Sequence, residues 1–481
     1  MSLRKINFSF LLLSLSVTAF AQQGHNIKLT LKPYKKEQVY LGYYYGKLKA
    51  VSDSTILDEN SRGEFKGKEK LPPGIYFVVS PKKEILFEVL IDSEQNFSIS
   101  ADTVDLMHNI TFTGSADNKL FQSYTNFAAK DGKAIADLQK DLGNAKTKSD
   151  STQIIDKIRS LDQEIQDYRN DVQKKYPASL LAGLFTAMKE PVVPPADKQP
   201  GGKYDTAFAY HYFKSHYWDG VSFTDDKLVR TPIFEPKLEK YYRDLVPHDA
   251  DSINKEVDWM LLYARVNKEL FKYLLVHFVQ KYVNPEYMGE DAVFVHLFEK
   301  FINTGEADFF TEKYRKFIND RAYSLMANLI GQPAPNLIMV DTSDKASPLY
   351  NVNAKFIVIC FWDPTCSHCK EEVPKLDSIY EAKWKQEGVK MYGVMVDGGR
   401  ANWTRFIQDH NLRDWYHVYE TKEHHDAEEA AGKPGYKQLY DVYQTPTLFL
   451  LDKDKRIIAK KLTYQQFDKI ITLKLNNTKS S

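Results

Sequence analysis

The sequence predicts a multidomain α+β chain: an N-terminal antiparallel β domain, a middle all-helical domain and a C-terminal α/β/α sandwich. Three observations carry this. Residues 25 to about 115 hold short stretches of alternating polar and apolar residues, separated by turn residues. Residues 116–328 repeat apolar residues at helical spacing. From Gly331 onward strand-like and helix-like stretches alternate and close on a hairpin, the pattern of a mixed sheet covered by helices. At 481 residues the chain is too long for one core and fits about three domains. We set their bounds at 22–115, 116–328 and 329–481, with residues 1–21 as an export signal.

That signal is read from Arg4 and Lys5 ahead of an apolar run from Phe8 to Val17, then Ala19-Phe20-Ala21, which fits the small-x-small cleavage rule and puts the mature start near Gln22. The run is shorter than the ~20 residues of a spanning helix. No later stretch is apolar enough to span a bilayer, and no cysteine lies near the cleavage point to carry a lipid. The expectation is a chain of the periplasm or cell envelope with no membrane span after cleavage. Lys+Arg 65 against Asp+Glu 64 gives a net charge of +1, so no basic excess points to nucleic acid.

In the β domain, His25–Leu31, Val39–Tyr45, Gly74–Val79, Ile85–Ile91 and Phe97–Ser100 read as strands. Asp58–Gly63 and Pro72-Pro73-Gly74 carry turn chemistry. A small sandwich or open barrel follows, with no nucleophile–base pair in it. In the helical domain Ser151–Lys175 is amphipathic, Pro191–Lys203 is a linker, and Ser252–Tyr282 is one long amphipathic run, followed by Asp291–Thr304 and Ala307–Leu329. The Tyr and Phe stripes read as core. His211, His216, His277 and His296 share no ligand spacing.

The chemistry sits at Trp362-Asp363-Pro364-Thr365-Cys366-Ser367-His368-Cys369. The apolar run Ala354–Cys360 before it reads as a buried strand, and Glu371–Tyr380 after it as a helix. Two thiols therefore lie where a strand turns into a helix. The first turn of a helix offers unpaired N–H groups and the positive end of the dipole, which lower the pKa of a thiol seated there. Cys369 lies one turn on, within reach of a disulfide, so the pair can attack, hold and resolve a mixed disulfide. A lone C-x-x-C is also half of a zinc site. The chain has three cysteines and no second such pair, which favours redox chemistry, with no metal and no cofactor. An exported chain with one close pair is a catalyst of thiol chemistry rather than a disulfide-stapled scaffold. His424-His425-Asp426-Ala427-Glu428-Glu429 holds metal-capable side chains, but neighbours in sequence cannot all face one ion, and the stretch reads as a solvated loop or short helix.

These residues resemble the thioredoxin superfamily. Gly331-Gln332-Pro333-Ala334-Pro335 and the extra βα unit near 389–410 resemble its exported TlpA/ResA and AhpC/TSA-like branch. Trp362-x-x-x-Cys366-x-x-Cys369 matches the signature, Pro374 matches the proline eight residues after the first cysteine, and Thr445-Pro446-Thr447 resembles the cis-proline loop. The likeness covers residues 331 to about 475. The three-part layout resembles multidomain thioredoxin-like proteins of the Bacteroidota cell envelope. The resemblance implies Cys366 as attacking thiolate, Cys369 as resolving thiol, a cis Pro446 against the sulfurs, and Thr445 offering its backbone to a substrate strand. Glu372 falls where the cytochrome-maturation reductases carry a glutamate. It is expected to take the proton of Cys369, with an exposed helix carboxylate as the alternative. Trp362 and His368 are expected to tune the redox pair. The histidine resembles the more oxidising exchangers and favours the thiolate of Cys366.

Two departures stand out. Cys360 occupies the place of the buried aspartate of most thioredoxins, six residues before Cys366, and the dipeptide between the cysteines is Ser367-His368 rather than Gly-Pro. The expected activity is thiol–disulfide oxidoreduction on protein cysteines of the envelope: a cytochrome c maturation-type reductase, or an oxidase or isomerase. An electron donor or acceptor of thioredoxin/DsbD type is the expected partner. Two alternatives stand beside it. One is a thiol peroxidase, for which Pro364-Thr365-Cys366 is a compressed version of the Pro-x-x-x-Thr-x-x-Cys arrangement. The other is a binding protein whose first two domains do the work.

Overall fold

The computed structural model describes residues 24–479, and the export signal read at 1–21 lies outside them. The chain forms two compact units, Met1–Leu245 and Val246–Ser481. The division falls inside the stretch that sequence reading treats as one helical domain.

In the first unit the strands are β1 His25–Lys32, β2 Gln38–Tyr45, β3 Leu48–Ile56, β4 Arg62–Gly67, β5 Gly74–Val79, β6 Ile85–Ile91, β7 Asn96–Asp102 and β8 Thr111–Thr113. They make two four-stranded sheets, β4-β1-β7-β8 and β3-β2-β5-β6. The expectation of an antiparallel domain needs one correction, because β1 and β7 pair in parallel. β1 shows why a sandwich forms. Ile27, Leu29 and Leu31 are buried while the residues between them are not, so one face must be covered. β3 escaped sequence reading because it is exposed and largely polar, SDST in its centre, and owes its place to pairing with β2. Five helices follow: α1 Ala116–Asn144, α2 Lys148–Lys175, α3 Leu180–Met188, α4 Thr206–His216 and α5 Phe234–Asp244. Asn118 of α1 ties this part to the sandwich, accepting from Leu90 N (2.8 Å) and donating to Leu90 O (2.7 Å).

The second unit opens with α6 Ala250–Ala264, α7 Lys268–Tyr282, α8 Asp291–Leu297 and α9 Glu312–Met326. The run 252–282 is thus two helices, not one. Asn267 interrupts it by capping α7, its side chain accepting from the N–H groups of Glu269 and Leu270. Then come β9 Val340–Asp341, β10 Phe356–Trp362, α10 Ser367–Ile379, β11 Val389–Met395, α11 Arg400–Asp409, β12 Tyr416–Tyr419, α12 Lys422–Ala430, α13 Tyr436–Leu439, β13 Thr447–Asp452, β14 Ile457–Lys460 and α14 Tyr464–Lys479. The sheet order is β14-β13-β10-β11-β12-β9. β10, β11 and β12 are parallel, and β13, β14 and β9 run against their neighbours.

Every residue of β10 is buried, as a central strand covered on both faces requires. Alternation then sorts its side chains. Phe356, Val358, Cys360 and Trp362 join the core with Val373 and Leu376 of α10, Trp403 of α11 and Phe467 of α14. Ile357, Ile359 and Phe361 join the opposite core with Leu337, Tyr436 and Tyr440. Each such side chain contributes about 1.5–3 kcal/mol by leaving water. The same parity puts Cys360 on the face that receives Cys369. Among the described residues, no helix is long and apolar enough to cross a membrane.

Candidate active site

The turn between β10 and α10 is built by Asp363. Its Oδ1 accepts from the Thr365 N–H and from the Thr365 hydroxyl, each at 2.7 Å, a local turn that halts the strand. Its own N–H points to Cys369 Sγ at 3.4 Å. Gly398, in the loop after β11, backs this turn: it has φ +90°, and a Cβ there would meet Asp363 Oδ1 at 2.4 Å. Only glycine permits this approach at that φ. Neither residue was singled out in the sequence. The Gly398-Gly399 pair was the available signal for the second.

Cys366 is the N-cap residue of α10 and partly exposed. No side-chain capping hydrogen bond closes at its sulfur, yet its thiol is shifted below the ordinary range. The main-chain N–H of Cys369 is the largest cause, followed by the side chain of Thr445 and then the N–H of His368. His368 therefore acts on this thiol through its backbone. Its imidazole is exposed. Cys366 Sγ lies 3.5 Å from Thr445 O, to which it donates as a thiol, and the Thr445–Pro446 bond is cis. Thr445 and Pro446 line, with His368, Glu372 and Cys360, a groove of about 400 Å³.

Cys369 differs in every respect. It is fully buried, and burial pushes its thiol up to about 11, against the lowering effect of the Asp363 N–H. Cys360, beneath it and also fully buried, is held well above the ordinary range by burial and then by Cys369. All three are free thiols. Trp362 is fully buried and packs on Phe406, ring centroids 5.1 Å apart; it supports the turn from within the core. Glu372 is half-buried in the groove wall and its Oε1 accepts from Lys375 Nζ at 2.9 Å. Pro374 lies inside α10, where it removes one helical N–H donor.

Two further features bear on the alternatives. The Thr365 hydroxyl is spent on Asp363, so it is not turned to the Cys366 sulfur as peroxide binding asks. The histidine stretch is helical: α12 sets His424 and Glu428 four apart on one face, with Glu420 reaching in from the preceding loop. Their ligand atoms lie within 4.8 Å of one another. The charges pair internally, His424 with Glu428 at 3.3 Å and His425 with Glu420 at 3.1 Å.

Three stretches of the chain match known families. Residues 330–460 match the AhpC/TSA family, 147–322 a domain of unknown function (DUF5106), and 25–121 a second (DUF4369). Thiol-disulfide oxidoreductase ResA of Bacillus cereus is 27% identical over 133 residues, 27% of this chain and 68% of the relative. A domain of a possible thiol-disulfide isomerase from Cytophaga hutchinsonii is 33% identical, covering 32% of this chain and 97% of that one, with a TM-score of 0.27. A thioredoxin-like protein from Bacteroides caccae is 21% identical, covering 60% of this chain and 99% of that one, with a TM-score of 0.45.

Proposed function

The C-terminal domain belongs to the TlpA/ResA-like branch of the thioredoxin superfamily, and from that membership we propose that the chain is a thiol-disulfide oxidoreductase working on protein cysteines of the cell envelope through Cys366 and Cys369. The observation that carries this is the asymmetry of the two thiols: one partly exposed and acidified at a helix N-cap, the other buried and held as a thiol. That asymmetry orders the reaction. The Cys366 thiolate attacks a substrate disulfide. One S–S bond forms as another breaks, and the first substrate sulfur leaves as a thiolate. Cys369 then loses its proton and attacks the Cys366 sulfur, closing Cys366–Cys369 and releasing the second substrate thiol. Two electrons pass to the substrate, and a dithiol donor of thioredoxin/DsbD type restores the pair.

Glu372 is the proposed acceptor of the Cys369 proton, since it lines the same groove as Thr445, whose carbonyl accepts from Cys366. Thr445 presents its backbone to the substrate segment next to cis Pro446. Residues 1–21 direct export, and 22–115, 116–328 and 329–481 are the proposed domains. Maintaining apo-cytochrome thiols fits this chemistry as one envelope task.

The test is insulin reduction by the mature protein beside Cys366→Ser, together with the reduction potential of the pair. Equal turnover by the two proteins removes the assignment. A potential near or below the glutathione poise marks a reductase, and a much higher one marks an oxidase or isomerase.

A further inference from the structure

The groove lined by Thr445 and Pro446 does not end at the redox domain. Its far wall is Lys461-Leu462, the turn that leads out of β14. The same two residues form the near wall of a second cleft, of about 260 Å³, whose other side is the α7–α8 loop. That loop exposes Tyr287 (44%) and Met288 (38%). Arg321, a lining residue of this cleft, has its guanidinium 5.8 Å from the ring centroid of Tyr443, which is 77% exposed. Tyr443 sits directly before Gln444, a lining residue of the redox groove. The two hollows thus share one wall, Lys461 and Leu462.

The loop is held in place by buried charge. Lys460, 4% exposed, donates to Asp291 Oδ2 (2.5 Å), Asn328 O (2.7 Å) and Asn328 Oδ1 (2.6 Å). Its backbone N–H points to Met288 Sδ at 3.4 Å. Lys461 and Arg321 both bond the fully buried Asp441 carboxylate. Burying such groups costs several kcal/mol per ion before pairing, and an apolar contact of the same shape is often as stable. What these pairs supply is a fixed register between α7–α9 and β14. Tyr287, Met288 and Leu462 are apolar lining residues of this cleft, beside Glu286.

We propose that the α7–α8 loop is part of the substrate site, and that the cleft takes an aromatic or aliphatic side chain of an extended polypeptide whose cysteine is seated between Cys366 and Thr445. This rests on the oxidoreductase reading and adds to it a substrate class: unfolded or extended chains with an apolar residue near the cysteine.

The experiment is a positional scan with the full mature protein. Disulfide-linked peptides carry one Phe at each position from two to seven residues on either side of the cysteine, in a Gly/Ser background. The expected profile has a maximum in kcat/KM, at least fivefold above the background, at one of these positions. It flattens in Tyr287→Ala/Met288→Ala. A photo-crosslinker at the optimal position, trapped on Cys369→Ser, is expected to label residues 284–289, a readout that does not depend on the double variant folding. A flat profile in the unmodified protein, a maximum that survives the double variant, or labelling confined to α10 and α14 overturns the proposal. Reaction with a small aromatic disulfide separates the two levels: failure there removes the oxidoreductase reading itself, whereas normal reaction with a flat scan removes only the loop's role.

Discussion

Two regions of the redox domain carry side chains capable of chemistry, and they are built differently. At the turn between β10 and α10, two chemically identical thiols stand three residues apart, and the fold gives them opposite surroundings. One sits at a helix N-cap near solvent; the other is inside the core. On α12, a helix with no buried residue, His424 pairs with Glu428, and His425 pairs with Glu420 of the preceding loop. The difference teaches that reactivity comes from unequal environments. Burial and helix N–H groups split the two sulfurs in pKa, whereas solvent and mutual pairing level the charges on α12.

The largest expected effect comes from erasing the split. Cys366→Ser is expected to lower insulin reduction by at least about 1,000-fold. Cys369→Ser keeps the attack and stops the resolution, so a mixed disulfide with substrate accumulates on non-reducing gels. Iodoacetamide titration sharpens the contrast in the intact protein. Cys366 is expected to alkylate with a midpoint below that of an ordinary thiol, and Cys369 to stay unreactive until the pH approaches about 11.

His417 extends the comparison from thiols to imidazoles. It is buried against the redox core, and desolvation lowers its pKa from 6.5 to about 4, partly opposed by its bond to Leu412 O. In the unfolded chain it takes up a proton near pH 6.5, and in the folded chain only near pH 4. Its contribution to stability is therefore present above pH 6.5 and declines as the pH falls to about 4, by about 3 kcal/mol in all. Urea unfolding at pH 7, 5.5 and 4 checks this, and His417→Gln is expected to reduce the slope by one proton.

Glu372→Gln is expected to slow resolution of the mixed disulfide about tenfold at pH 7 and to move the pH profile of that step upward, leaving the attack by Cys366 unchanged. If the carboxylate only decorates the helix, rapid-quench rates of resolution stay at those of the parent protein. The smallest effect is expected on α12. His424→Ala with Glu428→Gln should change turnover less than twofold and stability by under about 1 kcal/mol, since exposed pairs contribute little. A large loss in thermal unfolding or turnover there would break the contrast drawn above.

Much of this could be read along the chain. The two cysteines, Pro374 and Thr445-Pro446 are local patterns, and β10 and α10 have strong periodicity of their own. The exposed β3, the break at Asn267 and the parallel pairing of β1 with β7 could not be read that way. The first is exposed and held only by pairing with the preceding β2, the second is one cap competing with an amphipathic run, and the third joins strands about 70 positions apart.

The order of residues alone determined that two thiols meet at a strand–helix turn with a proline loop to face them, because that chemistry is written at short spacing. Only the tertiary structure decided that Cys369 lies wholly inside the core, and that Lys460 meets Asp291 of α8 while Lys461 meets the buried Asp441. Desolvation and ion pairing act through space, between residues 20 to more than 150 positions apart.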